Sequence, residues 1–200
     1  MVFSKIISVI LHPIFMPILS VYLSILLIPN IRFTITNNLS FIYLIIIISS
    51  ILLPLMSLFF LIKKRLVSSL EMHFHKERSL PLFITSLWMA YGYYKLVDVL
   101  SFAPILRAEI IGAIIIVVIS AGISRYWKIS LHMIGIGGVL GVLFGLNILF
   151  GGLYKIIIVV VLLAGILGVA RLNERAHNHA QVYTGFLFGF LFEFFSILFF

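Results

Sequence analysis

The sequence contains no cysteine and few charged residues. The absence of cysteine excludes disulfide bonds and thiolate chemistry. Only 10% of the 200 residues are charged, whereas ordinary soluble domains contain roughly 25%. Hydrophobic residues make up 63% of the chain. This composition predicts an integral membrane protein.

The chain also lacks linkers and low-complexity segments. Membrane-length apolar runs alternate with short polar segments, and backbone groups in lipid must be hydrogen-bonded within the protein. The sequence therefore predicts one all-α domain over residues 1–200, a polytopic helical bundle with six to seven transmembrane segments. The predicted spans are residues 17–29 after a broken or interfacial segment, 41–62, 81–100, 105–124, 133–150, 156–170 and 182–200.

The first apolar run does not resemble a signal peptide. His12 and Pro13 interrupt it, and no small-residue cleavage site precedes the next spans. On its own, His12 is expected to lie at the membrane interface. The sequence therefore predicts that this run belongs to the membrane domain.

The few charges are mostly basic, and the formal net charge is +8. In a soluble protein this excess would suggest nucleic acid as a partner. Here the basic residues fall in short loops between apolar runs. The expected partners are therefore the lipid bilayer, through its anionic head groups, or a phosphorylated substrate, and not nucleic acid.

Three polar segments, residues 66–81, 124–132 and 170–181, are each separated from the next by two predicted spans. An even number of crossings brings all three to the same side of the membrane. Five of the six histidines lie in these segments, and so do four arginines. This asymmetry indicates a functional site, although cytoplasmic loops also gather lysine and arginine. These residues are His73, His75, His132, His177, His179, Arg78, Arg125, Arg171 and Arg175.

The last polar segment carries the clearest chemistry. In a helix, Arg171 and Arg175 would share one face, and His177 and Gln181 would share another. A histidine held by a hydrogen-bonding partner beside two cations is suited to attack phosphorus. Three interpretations remain open for the whole cluster: a phosphate-binding site, a metal site and a solvated basic rim.

The metal interpretation depends on two histidine pairs, His73 with His75 and His177 with His179, together with His132. Histidines two residues apart point to different sides of a helix. Such a pair therefore binds one ion only in extended or loop backbone.

The last polar segment also resembles the third motif of the type-2 phosphatidic acid phosphatase superfamily, which reads SR, five residues, H, three residues, D. Ala170 and Arg171 occupy its first two positions, His177 follows at the family's spacing, and Gln181 stands where the aspartate belongs. The family's second motif, PSGH, is similar to residues 129–132, which read ISLH and keep the serine and histidine. For its first motif, a lysine, six residues and then RP, Arg78 matches the arginine and Glu71 replaces the lysine.

The resemblance implies a membrane lipid phosphatase or phosphotransferase that acts on a lipid phosphate or pyrophosphate and needs no metal cofactor. It implies that His177 forms a phosphohistidine, that His132 protonates the leaving oxygen and that Gln181 orients the nucleophile. It also implies a set of phosphate ligands: Arg78, Arg171, Ser130, and Lys76 or Lys128 in place of the missing lysine.

Gln181 is the departure with the largest consequence for catalysis. Its amide oxygen can accept a hydrogen bond from the imidazole, but it supplies no negative charge. Losing such a carboxylate can cost a factor on the order of 10⁴ in rate. The alternative is therefore a non-catalytic membrane protein that binds or transports a phosphorylated lipid.

The resemblance implies the bacterial plasma membrane as the location. Bacterial members mostly act at its outer face, whereas the basic run at residues 63–65 indicates a cytoplasmic location for this side of the bundle.

Two features inside the predicted spans concern packing. Gly137, Gly141 and Gly145 recur every four residues, a spacing that lets another helix approach closely. Glu193 is the one charged residue of the last span, where it is either protonated and packed or lines a polar cavity.

Overall fold

The computed structural model describes residues 2–69, 72 and 74–199. All regular secondary structure in these residues is helical, which confirms the predicted all-α membrane bundle. The helices are α1 (Val2–Ile10), α2 (Met16–Leu27), α3 (Pro29–Thr34), α4 (Leu39–Ile47), α5 (Leu53–Lys63), α6 (Ser79–Leu100), α7 (Pro104–Ser124), α8 (Leu131–Phe150), α9 (Tyr154–Asn173) and α10 (His179–Phe199).

Six helical stretches of the described residues are long and apolar enough to cross a membrane. They are Phe3–Leu27, Thr36–Lys63, Pro104–Ser124, Leu131–Phe150, Tyr154–Asn173 and His179–Phe199. The predicted span at residues 81–100 corresponds to α6, which has 22 residues but is less apolar and is not among the six. The connection at residues 101–103 reverses the chain, so α7 packs back along α6. Helix α6 is therefore a seventh long segment of the bundle.

Proline determines where several helices begin and where one is distorted. Pro17, Pro29 and Pro104 lie in the first turns of α2, α3 and α7, where a missing N–H is tolerated. Pro54 lies inside the stretch that the sequence predicts as one uninterrupted span. Just before it, residues Ile48–Leu52 widen into a π-helical turn. A proline ring clashes with the carbonyl four residues earlier, and the wider turn relieves that clash.

Helix α8 is at the centre of the bundle. In its most apolar window 67% of the residues are buried, compared with 39% or less in the other five candidate spans. The glycines of its four-residue repeat face α10: a methyl group on Gly137 or Gly141 would overlap the main-chain carbonyl of Phe186 or Phe190. This contact confirms that the glycine spacing permits close helix packing, and it identifies α10 as the partner.

The three polar segments meet at one end of the bundle, as the number of intervening spans predicts. Nδ1 of His75, in the segment before α6, donates to the carbonyl of Ser124 at the end of α7 (2.8 Å). Nδ1 of His177, between α9 and α10, lies 3.1 Å from the carbonyl of Lys128, before α8. The N-terminal helix α1 packs against α9 at the same end, where Ser8 contacts His132.

We expect Gly141→Ala to destabilise the protein, by about 1–3 kcal/mol, because the added methyl group would push α8 and α10 apart. Gly165→Ala on α9 is the matched control, since a methyl group there meets no atom within 4 Å. Thermal unfolding of the purified protein in detergent measures both effects. Equal melting temperatures for the two variants would show that the contact between α8 and α10 contributes little to stability.

Candidate functional site

His177 lies in the loop between α9 and α10 and is 8% exposed. Its Nδ1 atom is 3.1 Å from the carbonyl oxygen of Lys128 and 3.0 Å from Oε1 of Gln181. A main-chain carbonyl only accepts hydrogen bonds, so Nδ1 carries the proton and donates it. Nε2 of the neutral ring therefore keeps its lone pair free.

Gln181 is held in turn by the start of α10. Its N–H donates to Oδ1 of Asn178 (2.9 Å), and the N–H of Asn178 donates to Oε1 of Gln181 (3.3 Å). Asn178 immediately precedes α10, so this reciprocal pair is a capping box. The amide oxygen that caps the helix is also the one that accepts from His177. The start of α10 therefore fixes the orientation of the imidazole.

The surroundings of His177 favour its neutral form. Burial and the positive charges of Arg78 and Arg171 together lower the pKa of His177 to about 4, against the opposing hydrogen bonds to Gln181 and Lys128. At neutral pH the ring is therefore uncharged. An uncharged ring is required if Nε2 is to act as a nucleophile.

One side-chain nitrogen of Arg171 is hydrogen-bonded, whereas another is buried without a partner. Its Nη1 donates to Oε2 of Glu174 (2.7 Å) and to the hydroxyl of Ser8 (3.0 Å), which itself donates to Oε1 of Glu174 (3.2 Å). Its Nε is buried and has no hydrogen-bond partner. Glu174 thus pairs with Arg171 and does not take the place of the missing aspartate behind His177.

Two further predicted phosphate ligands add positive charge near Arg171. Nε of Arg78 donates to the carbonyl of Met72 (3.2 Å). Burial and the charge of Arg171 lower the pKa of Arg78. Burial, Arg78 and Arg171 lower the pKa of Lys128. The three cations therefore lie within electrostatic range of one another, whereas the predicted ligand Lys76 is exposed in the turn before Arg78.

The Nε2 proton of His132 is already hydrogen-bonded to the main chain. Its Nε2 lies 3.0 Å from the carbonyl oxygen of Ser8, so Nε2–H donates to the main chain of α1. The ring of His12 packs edge-on against His132, with 5.3 Å between the centroids. His12, expected at the membrane interface, thus packs against a predicted catalytic histidine.

Ser130 is 0% exposed, and its hydroxyl has no hydrogen-bond partner. Its carbonyl is covered by α10, where a Cβ on Gly185 would lie 2.8 Å away. Its N–H donates to the carbonyl of Gln181 (3.3 Å). In this arrangement Ser130 joins α8 to α10 and does not line the open pocket beside His177.

An open pocket of about 450 Å³ lies beside His177. Of the predicted site residues it includes His177, Gln181 and Lys128, whereas His132, Arg78 and Arg171 do not line it. His177, Gln181 and Lys128 thus lie on the pocket wall, whereas His132 and Arg171 contact Ser8 of α1. The lining residues are Lys128, Leu172, Arg175, Ala176, His177, Asn178, His179 and Gln181.

The end of α9 places a cation on this pocket. The N–H of Ala176 donates to the carbonyl of Arg171 (3.2 Å), and that of Arg175 donates to Leu172 (2.9 Å), which forms a Schellman motif. Arg175 has the left-handed φ of 52° that usually requires glycine. The chain accepts this strained backbone and keeps an exposed guanidinium at the pocket.

Helix α1 contributes to the site although no site residue was predicted there, and its sequence contains a signal for this role. Ser4, Ser8 and His12 recur every four residues in an apolar run. Both serines are buried, whereas Phe3 and Val9 are exposed. The polar face of α1 therefore points into the protein and its apolar face points outward, as a helix in lipid requires.

The metal interpretation gains no ligand set from the described residues. Within them, no three histidine, aspartate or glutamate side chains are close enough to hold an ion. His73, a member of one proposed pair, and Glu71, at the position of the family's lysine, lie outside the described residues.

The arrangement places a neutral imidazole with a free Nε2 within electrostatic range of Arg78 and Arg171 and on the same pocket wall as Lys128, which suits it to binding and attacking an anion. In comparisons with known proteins, the chain matches no family model, no curated protein and no solved structure.

The low pKa of His177 makes stability depend on pH. Between pH 6.5, the ordinary histidine value, and about 4, the folded-state value, the unfolded chain binds more protons than the folded protein. The free energy of unfolding should therefore fall as the pH is lowered through this window. His177→Asn keeps a donor near the position of Nδ1 but does not titrate, so its pH dependence should be shallower. Denaturant unfolding at several pH values tests this, and identical slopes would contradict it.

Proposed function

We propose that this integral membrane protein is a phosphatase or phosphotransferase that acts on a lipid phosphate or pyrophosphate, with His177 as the nucleophile. The observation that carries the proposal is the fixed tautomer of His177. Its Nδ1 proton is held by Lys128 and Gln181, so Nε2 is free to attack. A nucleophile held by a second, orienting group is a recurrent arrangement in covalent catalysis.

In the proposed reaction, the Nε2 lone pair forms a bond to phosphorus and the bond from phosphorus to the leaving oxygen breaks. The leaving oxygen takes a proton, and water later hydrolyses the phosphohistidine. Arg78 and the unpartnered Nε of Arg171 supply donors for the phosphate oxygens, and Lys128 adds a positive charge. Such charge-assisted hydrogen bonds are the strong ones in proteins.

Ser8 occupies two positions that phosphate oxygens would take. Its hydroxyl accepts from Arg171, and its carbonyl accepts the Nε2 proton of His132. For His132 to protonate a leaving oxygen through Nε2, the ring must first take a second proton on Nδ1, and the Nε2 proton must leave the Ser8 carbonyl. The proposed reaction therefore includes displacement of α1 from these contacts when the substrate binds.

A second candidate function is binding or transport of a phosphorylated lipid without turnover. It is favoured by the neutral Gln181 behind His177 and by Glu174, which already pairs with Arg171. The contact between His132 and Ser8 also favours it, because it ties up the proposed acid. A binder needs the cations but not the free Nε2.

The resemblance to the bacterial phosphatases supports the plasma membrane of a bacterium as the location. The basic run at residues 63–65, at the same end as the site, favours the cytoplasmic side by the positive-inside rule. The arginines proposed as phosphate ligands do not count as evidence for that orientation.

The test of the enzyme is a covalent intermediate. Purified protein mixed with a lipid phosphate or pyrophosphate labelled in the phosphoryl group should form an acid-labile phosphohistidine and release phosphate, with or without a chelator. His177→Asn keeps the Nδ1-like donor but lacks Nε2, and should lower the rate by at least about 10³-fold.

His75→Asn is the matched control, because His75 also donates from Nδ1 to a main-chain carbonyl, that of Ser124. It should retain the label and the activity. Activity that survives in His177→Asn would refute His177 as the nucleophile. If both variants and the parent protein bind the lipid equally and none releases phosphate, the binding function stands instead.

Gln181→Glu should accelerate phosphohistidine formation. Glutamate has the length of glutamine, so a carboxylate oxygen can keep the capping box and the bond to His177 while adding the missing negative charge. The gain could reach about 10⁴-fold, the contribution of the comparable carboxylate in serine proteases. Gln181→Met, which cannot accept these bonds, should lower the rate. Single-turnover labelling measures both, and equal rates in all three proteins would exclude Gln181 as the orienting group.

A further inference from the structure

A second polar cluster lies inside the bundle, away from the histidines. Glu109 on α7 is 2% exposed and Glu193 on α10 is 4% exposed. The hydroxyl of Ser24 on α2 donates to Oε2 of Glu109 (2.9 Å). Ser20, one turn earlier on α2 and 7% exposed, faces the same carboxyl group. The cluster thus joins three membrane-spanning helices.

The two carboxyl groups are neighbours, because Gly112 of α7 has no side chain and leaves space for the carboxyl group of Glu193. A Cβ built on Gly112 of α7 would lie 2.7 Å from Oε2 of Glu193. Gly112 is three residues after Glu109, so both lie on one face of α7. The carboxyl group of Glu193 therefore lies about one helical turn from that of Glu109.

Three buried oxygens in this cluster lack a hydrogen-bond partner. They are Oε1 of Glu109, Oε2 of Glu193 and Oγ of Ser20, one from each of α7, α10 and α2. Isolated buried carboxylates are too costly to remain charged. The two carboxyl groups can therefore stay buried only if their negative charge is neutralised by positive charge, from bound protons or from a metal cation.

The protein itself does not supply that charge. Among the described residues neither carboxyl group forms an ion pair. Arg107 on α7 is exposed and donates to the hydroxyl of Tyr93 (3.0 Å). On α6, Lys95 is exposed and lies over the rings of Tyr91 and Tyr94, and Asp98 is exposed. Helix α2 carries no charged residue, and the one titratable side chain of α8, His132, lies six residues before Gly138, which packs against Glu193.

We propose that Glu109, Glu193, Ser20 and Ser24 bind a small monovalent cation, Na⁺ or a proton, inside the membrane. Carboxylate and hydroxyl oxygens are ligands for hard cations. A divalent ion fits less well, because Ca²⁺ takes six to eight oxygens and Mg²⁺ keeps several waters. Three free oxygens in a buried site do not provide such a shell. This site is independent of the proposed phosphate chemistry.

The test compares the purified protein in sodium chloride and in choline chloride of equal ionic strength over a range of pH. If Na⁺ is the ligand, it should raise the unfolding temperature, and more so at alkaline pH where protons compete less. Infrared difference spectra should show a carboxylic acid band that Na⁺ removes. If the ligand is the proton alone, that band should titrate with pH and Na⁺ should have no effect.

Glu109→Gln and Glu193→Gln preserve side-chain shape and should abolish the Na⁺ effect or the titrating band. Asp98→Asn, which changes an exposed acid on α6, should keep the wild-type response. The proposal is overturned if the carboxylic acid band stays constant at every pH at which the protein is folded and Na⁺ has no effect. The infrared measurement on the unmodified protein decides this even if a variant fails to fold.

Discussion

The backbone contact between α8 and α10 determines where the groups at the polar end lie. Glycines on α8 let its backbone reach the carbonyls of Phe186 and Phe190 on α10, closer than side chains would permit. The same pairing continues to the helix starts, where the N–H of Ser130 donates to the carbonyl of Gln181 (3.3 Å). This pairing holds the loop before α10 against the segment that contains Lys128. The hydrogen bonds of His177 therefore depend on the packing of α8 and α10 as well as on the residues adjacent to it in sequence.

Polar groups at this end satisfy one another, because lipid offers no alternative partners. Ser8 alone makes three of these hydrogen bonds: it accepts from His132 and Arg171 and donates to Glu174. Its helix therefore buries its polar face, the reverse of a helix on a soluble protein. A ligand that competes for His132 and Arg171 must replace these bonds. Binding of a phosphate therefore gains less free energy than the number of donors implies, since its new bonds replace bonds that Ser8 already makes.

Much of this arrangement could be predicted from the sequence. The count of spans between polar segments predicts that they meet at one end, and the four-residue glycine spacing predicts the close contact on α8. The position of α1 was not predictable in this way, because apolar side chains do not specify which helix they face in lipid. The capping box follows a local pattern, Asn178 followed three residues later by Gln181, whereas the burial of Ser130 depends on how α8 and α10 pair, which no local pattern encodes. The π-helical turn before Pro54 has a local cause in that proline and also a tertiary fit, since Ser49 in that turn packs against Gly92 on α6.

The two polar clusters share one rigid element. Helix α10 begins with the capping box that orients His177, and fourteen residues later it carries Glu193, a distance of about 21 Å along the helix axis. Because α10 packs on α8 through main-chain contacts, it cannot slide without separating carbonyls from glycines. A change in the bonding of Glu193 is therefore resisted by the same contact that positions the imidazole. A rotation of α10 that moved Glu193 would also displace Gln181, since an intact helix turns as a unit. Any coupling between the buried carboxyl groups and the phosphate chemistry must act through this rotation, because no chain of hydrogen-bonded side chains joins the two clusters among the described residues.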